Sequence, residues 1–206
     1  EFRGALPISD LVELLDWVSD ASDADFAAQL DTRLHALDFI DWYVFATAIS
    51  ADDSYGKNSY LYRDPADPQA KWRYVPWDMN HSFGQSWQTY RTDPLSTGRL
   101  EGWPLNTNGV WSRMAAQPAL AARLTDRYRA ALDGVMHIDQ VVALLRAMAD
   151  QIRPTALRDQ RKWGDAMQTW GAWSGRSDFN DFDGEIDYIE TWLRTRWAFL
   201  DSEYAL

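Results

Sequence analysis

From Leu34 to Ile49 the chain is apolar on almost every side, broken only by Asp38 and Asp41. A helix of that kind is a buried one, so other elements have to enclose it. It delivers Asp52 and Asp53 at its C-terminal end. Carboxylates are unfavourable there because the helix dipole is negative, so a cation or basic partner is required nearby.

The rest of the chain supplies material for the enclosure. Ser9 or Asp10 can cap a first helix carrying Leu11, Leu14, Leu15 and Val18 on one face, and a second starts between Asp23 and Gln29. Pro118 suits the first turn of a helix with Leu120, Leu124, Tyr128, Leu132 and Val135 in phase. Asp139 caps a further helix with Val142, Leu145, Met148 and Ile152 aligned. Thr155 opens another that reaches Trp163. The last helix, capped by Asp183 or its neighbours, aligns Ile186, Ile189, Leu193, Trp197 and Leu200. Between these, Tyr60–Arg63 and Lys71–Val75 are rich in β-forming residues and flank the turn-forming Asp64-Pro65-Ala66-Asp67-Pro68, which predicts a hairpin that Pro76 ends. Gln85 to Asn108 reads as a long, mostly irregular connection, a kind that is often functional. The fold class expected is α+β, mainly α, with one short β-hairpin, in a single domain spanning 1–206.

Composition narrows the function. A net charge of -11 and a pI near 4.6 argue against nucleic acid and anionic membrane surfaces as partners. Without cysteine there are no disulfides, thiol nucleophiles or Cys-based zinc sites, and three scattered histidines form no zinc pattern. The longest apolar run, around Tyr43–Ile49, is too short for a membrane span. Twelve tryptophans imply a heavy aromatic core, or else a sugar-binding surface. From Asp178 to Glu190, Asp181, Asp183, Gly184 and Glu190 hint at a calcium loop, but Phe179 falls where the first ligand must be, so a helix-capping turn is expected instead. The chain starts at Glu1 in the middle of what reads as sequence, as the C-terminal part of something longer.

The densest polar chemistry runs from Ala51 to Gly84. Asp52, Asp53 and Asn58 share one turn, and Asp78 and Asn80 follow the hairpin directly. A hairpin returns the chain to its start, so the two turns should lie side by side. Their oxygens suit a hard cation such as magnesium. In phosphoryl transfer one Asp accepts the proton of the attacking hydroxyl, an Asn five residues later helps hold a metal, and a second Asp bridges metal and phosphates. Asp53, Asn58 and Asp78 match that layout in order and character. Phe83-Gly84 trails Asp78 by five residues, so this is no ordinary Asp-Phe-Gly sequence.

Asp-Asp-Ser-Tyr-Gly-Lys-Asn-Ser-Tyr-Leu-Tyr, followed by Lys-Trp-Arg-Tyr-Val-Pro-Trp-Asp-Met-Asn-His-Ser-Phe-Gly, resembles the CotH kinases, the spore coat protein H-like family of atypical, mostly secreted or cell-surface protein kinases. The similarity is strongest from Phe39 to Gly84. The resemblance implies a divergent kinase fold using ATP and Mg2+ or Mn2+ to phosphorylate Ser or Thr of a protein substrate. It implies Asp53 as catalytic aspartate, Asn58 and Asp78 as metal ligands, and Lys57 with Asp78 in contact with the nucleotide phosphates. Asp52, Asn80 and His81 stand around them in supporting positions. Many members carry an acidic residue where this chain has Asn80. Residues 1 to 50 read as helices of a C-terminal kinase lobe, and nothing before Asp53 supplies the glycine-rich loop, strand lysine and helix glutamate of an N-terminal lobe. Two rival readings remain: an inactive relative kept as a surface or coat interaction module, and a glycan-binding or glycan-cleaving domain built on Trp platforms.

Overall fold

The computed structural model describes residues 8–169 and 181–204. Its axis is α3 (Ala36–Ala48), the helix expected from the apolar run. Phe39, Ile40, Trp42, Tyr43, Val44 and Thr47 are all buried along it. α1 (Ser9–Asp20) and α2 (Asp23–Arg33) close one end. Trp17 stacks on Phe26 with ring centroids 4.8 Å apart, and Ser22 caps α2 by accepting from the Asp25 N–H. The two acids that interrupt α3 are matched by arginines from neighbouring elements. Arg73 donates to both Asp38 oxygens, at 2.7 and 3.2 Å, and holds that carboxyl below its usual range. Arg127 grips Asp41 in the same two-pronged way.

The hairpin forms where the sequence places it. β1 (Ser59–Tyr62) pairs antiparallel with β2 (Arg73–Pro76), Ser59 opposite Pro76 and Tyr62 opposite Arg73. Asp64 and Asp67 side chains accept from Ala66 and Gln69 N–H groups and shape the turn. Only Tyr74 of β2 is buried, wedged against Phe39 and Trp42 of α3. Before β2, Trp72 exchanges backbone hydrogen bonds with the Arg33–His35 segment. The hairpin is thereby fastened to the end of α2 and to α3, and its position is fixed.

Three expectations change. The connection from Gln85 to Asn108 is more ordered than its Gly/Thr/Ser/Pro content suggests: it holds a 3₁₀ turn at Thr97–Arg99 and α4 (Gly102–Thr107), followed by α5 (Gly109–Ala115). Tertiary bonds impose that order, since Trp192 Nε1 donates to Thr92 O at 2.9 Å and Arg196 Nη1 to Pro94 O at 2.9 Å. α6 (Pro118–Asp133) begins at its proline as expected, but it ends at Gly134, and Val135 stands 76 % exposed instead of continuing the buried face. Finally, no new helix opens at Thr155. α7 runs unbroken over Ile138–Thr169 with Pro154 inside it. Packing against α8 (Phe182–Tyr204) holds it on the N-terminal side of the proline and at it: Arg146 binds Asp187 and Glu190, and Arg153 binds Asp183. A proline removes one backbone bond, and here the tertiary contacts outweigh that loss.

The tryptophans divide. Trp17, Trp42, Trp111, Trp192 and Trp197 are core residues, whereas Trp77, Trp87, Trp103 and Trp163 are 44–59 % exposed. The turn at the start of α8 is a cap, as expected: Asp181 Oδ1 accepts from the Gly184 N–H at 2.8 Å. Asp183 and Glu190 are committed to arginines. Asp178 and Phe179 lie outside the described residues. Among the described residues, no helix is long and apolar enough to cross a membrane.

Candidate active site

The C-terminal end of α3 sets the site. Past Ala48 the chain tightens: the Ala51 N–H reaches Ala46 O at 2.8 Å, and Asp52–Ser54 forms one 3₁₀ turn. The helix-end carbonyls meet the basic partner that the dipole demands. Arg196 of α8, wholly buried, donates from Nη2 to Thr47 O at 2.9 Å and from Nε to Ala48 O at 3.3 Å. Its Nη1 reaches Pro94 O and Ser96 O at 2.9 and 3.1 Å. One guanidinium thus ties the end of α3 to the connection that follows the hairpin.

The two adjacent acids have opposite surroundings. Asp52 is buried, and Arg99 Nε donates to both of its oxygens, at 3.0 and 2.9 Å. The Tyr55 hydroxyl lies 3.3 Å from its Oδ1. Burial pushes the Asp52 carboxyl above its usual range, and the Arg99 charge and hydrogen bonds offset only part of that. The Asp52 oxygens are thus committed inside the fold, to Arg99 and Tyr55. Asp53 is partly exposed, its side chain 18 % accessible, with Lys57 Nζ 2.7 Å from Oδ1. Asn58 Nδ2 donates to its Oδ2 at 2.7 Å. The spacing of four and five residues therefore brings an ammonium and an amide onto one carboxylate.

Asp78 returns beside this turn. The Trp77 N–H donates to Asn58 O at 2.9 Å, and Ser54 Oγ donates to Asp78 O at 3.4 Å. Both Asn58 and Asp78 have left-handed backbones, with φ of 53° and 56°, a conformation that Asn and Asp tolerate better than most residues. Beyond Asp78 the chain is strapped down. Ser82 Oγ donates to Met79 O at 2.7 Å, the Phe83 N–H to Ile49 O at 2.8 Å, and the Tyr188 hydroxyl to Gly84 O at 2.7 Å. Gly84 has φ +92°, and a Cβ there would lie 2.6 Å from the Tyr188 hydroxyl. Only glycine fits so close an approach. Asn80 and His81 bond to each other, Asn80 Nδ2 donating to His81 Nε2 at 3.3 Å; the structure shows neither bonded to Asp53, Asn58 or Asp78.

The donor set suits a hard divalent cation in one respect and limits it in another. Asp78 and the Asn58 amide offer oxygen ligands, which magnesium and manganese prefer. Among the described residues, no three His, Cys, Asp or Glu side chains gather to hold a metal. The described residues thus build no closed metal cage. Magnesium commonly takes one or two carboxylates and completes its shell with phosphates and water, and the residues present fit that arrangement. A groove of about 650 Å³ lies elsewhere, between α3, α6, α7 and α8, and none of the candidate residues lines it.

Sequence reasoning missed Arg99, Tyr55 and Arg196. Their partners are 47, 3 and 148 residues away respectively. For Tyr55 the short spacing to Asp52 was a usable signal, and for Arg99 an isolated basic residue in a polar connection was a weaker one.

A partly exposed acid is thus paired with an amide five residues on, in a turn that the hairpin exit packs against. Residues 4–200 match the family described as CotH kinase protein, and the chain belongs to that family. No curated protein matches it.

Proposed function

We propose that this protein transfers the γ-phosphoryl group of ATP to Ser or Thr hydroxyls of a protein substrate, with Mg2+ or Mn2+. Family membership supports a kinase-like activity. The observation that carries the finer reading is the pairing of Asp53 with Asn58 and Lys57 in one turn, adjacent to Asp78. On this reading Asp53 accepts the proton of the attacking hydroxyl, whose oxygen bonds to the γ-phosphorus as ADP leaves. Asn58 orients the Asp53 carboxylate and presents its amide oxygen to the cation. Asp78, exposed at the hairpin exit, would offer the cation its carboxylate. Lys57, exposed beside Asp53, meets the transferred phosphate. A bound divalent ion neutralises phosphate charge, a role that suits so acidic a chain. Residues 1–206 serve as a kinase-like catalytic lobe, and the setting is secreted or cell-surface.

The test is γ-phosphate transfer from ATP by the full-length protein, with magnesium or manganese and with a chelator in parallel. Phosphoserine or phosphothreonine should form with metal and fall to background with chelator. Absence of both transfer and metal-dependent nucleotide binding would remove the reading. The exposed rings of Tyr60, Trp77 and Trp87 favour a second reading, glycan binding, which would persist in the chelator.

A further inference from the structure

The inner side of the catalytic turn is held by a segment to which neither sequence nor family assigns a task. Arg99, at the end of the 3₁₀ turn Thr97–Arg99, places Nε between the two oxygens of Asp52, whose side chain is 1 % exposed. The Tyr55 hydroxyl sits between Asp52 Oδ1, at 3.3 Å, and Arg99 O, at 3.2 Å, so it joins the acid and the arginine's own backbone. Tyr55 O in turn accepts from Asn108 Nδ2 at 3.3 Å. A Cβ at Gly56 would lie 3.0 Å from Thr107 Cβ. Residues 52, 55 and 56 are therefore each set against 97–108, while Asp53, Lys57 and Asn58 bond among themselves.

We infer that Arg99 is a positioning residue for Asp53: by clamping Asp52, with Tyr55 as a second fastening, it fixes the turn that aims the neighbouring carboxylate. The consequence for catalysis rests on the phosphoryl-transfer reading; the clamp itself does not. A carboxylate displaced by about 1 Å loses roughly a hundredfold in rate, so a loosened turn is felt in turnover before it is felt in folding.

The test compares full-length wild type with Arg99→Gln and Arg99→Lys, by amide hydrogen exchange and by transfer kinetics with Mn2+ and ATP. In Arg99→Gln, exchange across 52–58 should rise about tenfold or more while α3 and α6 keep their protection. Turnover per folded molecule should fall about tenfold or more with the KM for ATP within about twofold. Arg99→Lys, which keeps a charged donor, should recover a large part of both. A purely structural role would lower melting temperature and folded fraction and leave turnover per folded molecule unchanged. Unaltered exchange at 52–58 in Arg99→Gln overturns the inference. Should that variant fail to fold, Asp52→Asn, which removes the charge that Arg99 clamps, carries the same measurement, and unaltered exchange at 52–58 there overturns it equally. A wild type that neither binds Mn2+–ATP nor transfers phosphate removes the functional reading alone, and the exchange data still decide the clamp.

Discussion

Asp53→Asn is expected to lower phosphoryl transfer by about 10²–10⁴-fold, the usual worth of a positioned general base, with nucleotide affinity nearly intact. The substitution is close to isosteric and keeps one carbonyl oxygen. It removes the charge that Lys57 and Asn58 converge on at 2.7 Å, and with it the capacity to accept a proton. Folding should change little, because the side chain lies at the surface of a turn held from its inner side by Asp52 and Tyr55. A lost hydrogen bond of this kind costs about 1 kcal/mol. Initial rates at saturating ATP, read beside a thermal melt, separate the two effects. Transfer within about threefold of wild type would take Asp53 out of the chemistry.

Arg196→Met should cost about 3–5 kcal/mol of stability, the largest structural effect of any single change near the site. Methionine approximates the volume of the buried stem but donates nothing. Four carbonyls, of Thr47, Ala48, Pro94 and Ser96, lose the guanidinium that serves them. A buried polar group without a partner costs about 1–3 kcal/mol each. The gain from no longer burying a cation, which pushes Arg196 below its usual pKa range, offsets part of the sum. At about 2–4 °C per kcal/mol for a chain of this size, the melting temperature should drop about 10 °C. Urea titration checks the free energy, and a change under about 1 kcal/mol would show that solvent or neighbouring side chains replace the arginine without cost.

The elements that could be read from the sequence are those whose causes are local. The period of α3, the turn residues of the hairpin and the first-turn Pro118 each act through neighbours within a few positions, and each element formed where expected. That Asp53 and Asn58 share one turn was legible for the same reason, being five residues apart; the bonds that Lys57 and Asn58 make to the Asp53 carboxylate were not foreseen. Asp78 could be placed beside them because a hairpin fixes where the chain returns. What the sequence hid depends on distant partners. Pro154 reads as a helix boundary, yet contacts to α8 carry α7 through it. The connection 85–108 reads as irregular, yet Arg196 and Trp192 order it from the far end of the chain. The need for a cation at the end of α3 could be argued from its dipole, but Arg196, 148 residues on, could not be named. Asp52 and Asp53 are adjacent and identical in type, and only the burial of Arg99's partner separates their roles.

The most direct measurement is Mn2+ binding in the presence of ATP, followed by the ion's paramagnetic resonance signal, in full-length wild type and in Asp78→Asn. The account predicts ATP-dependent Mn2+ binding in the wild type, weakened about tenfold or more when the Asp78 carboxylate becomes an amide, with the fold unchanged. Equal Mn2+–ATP affinity in the two proteins would contradict a metal site at Asp78 and, with it, the assignment of the turn and hairpin as a phosphoryl-transfer centre.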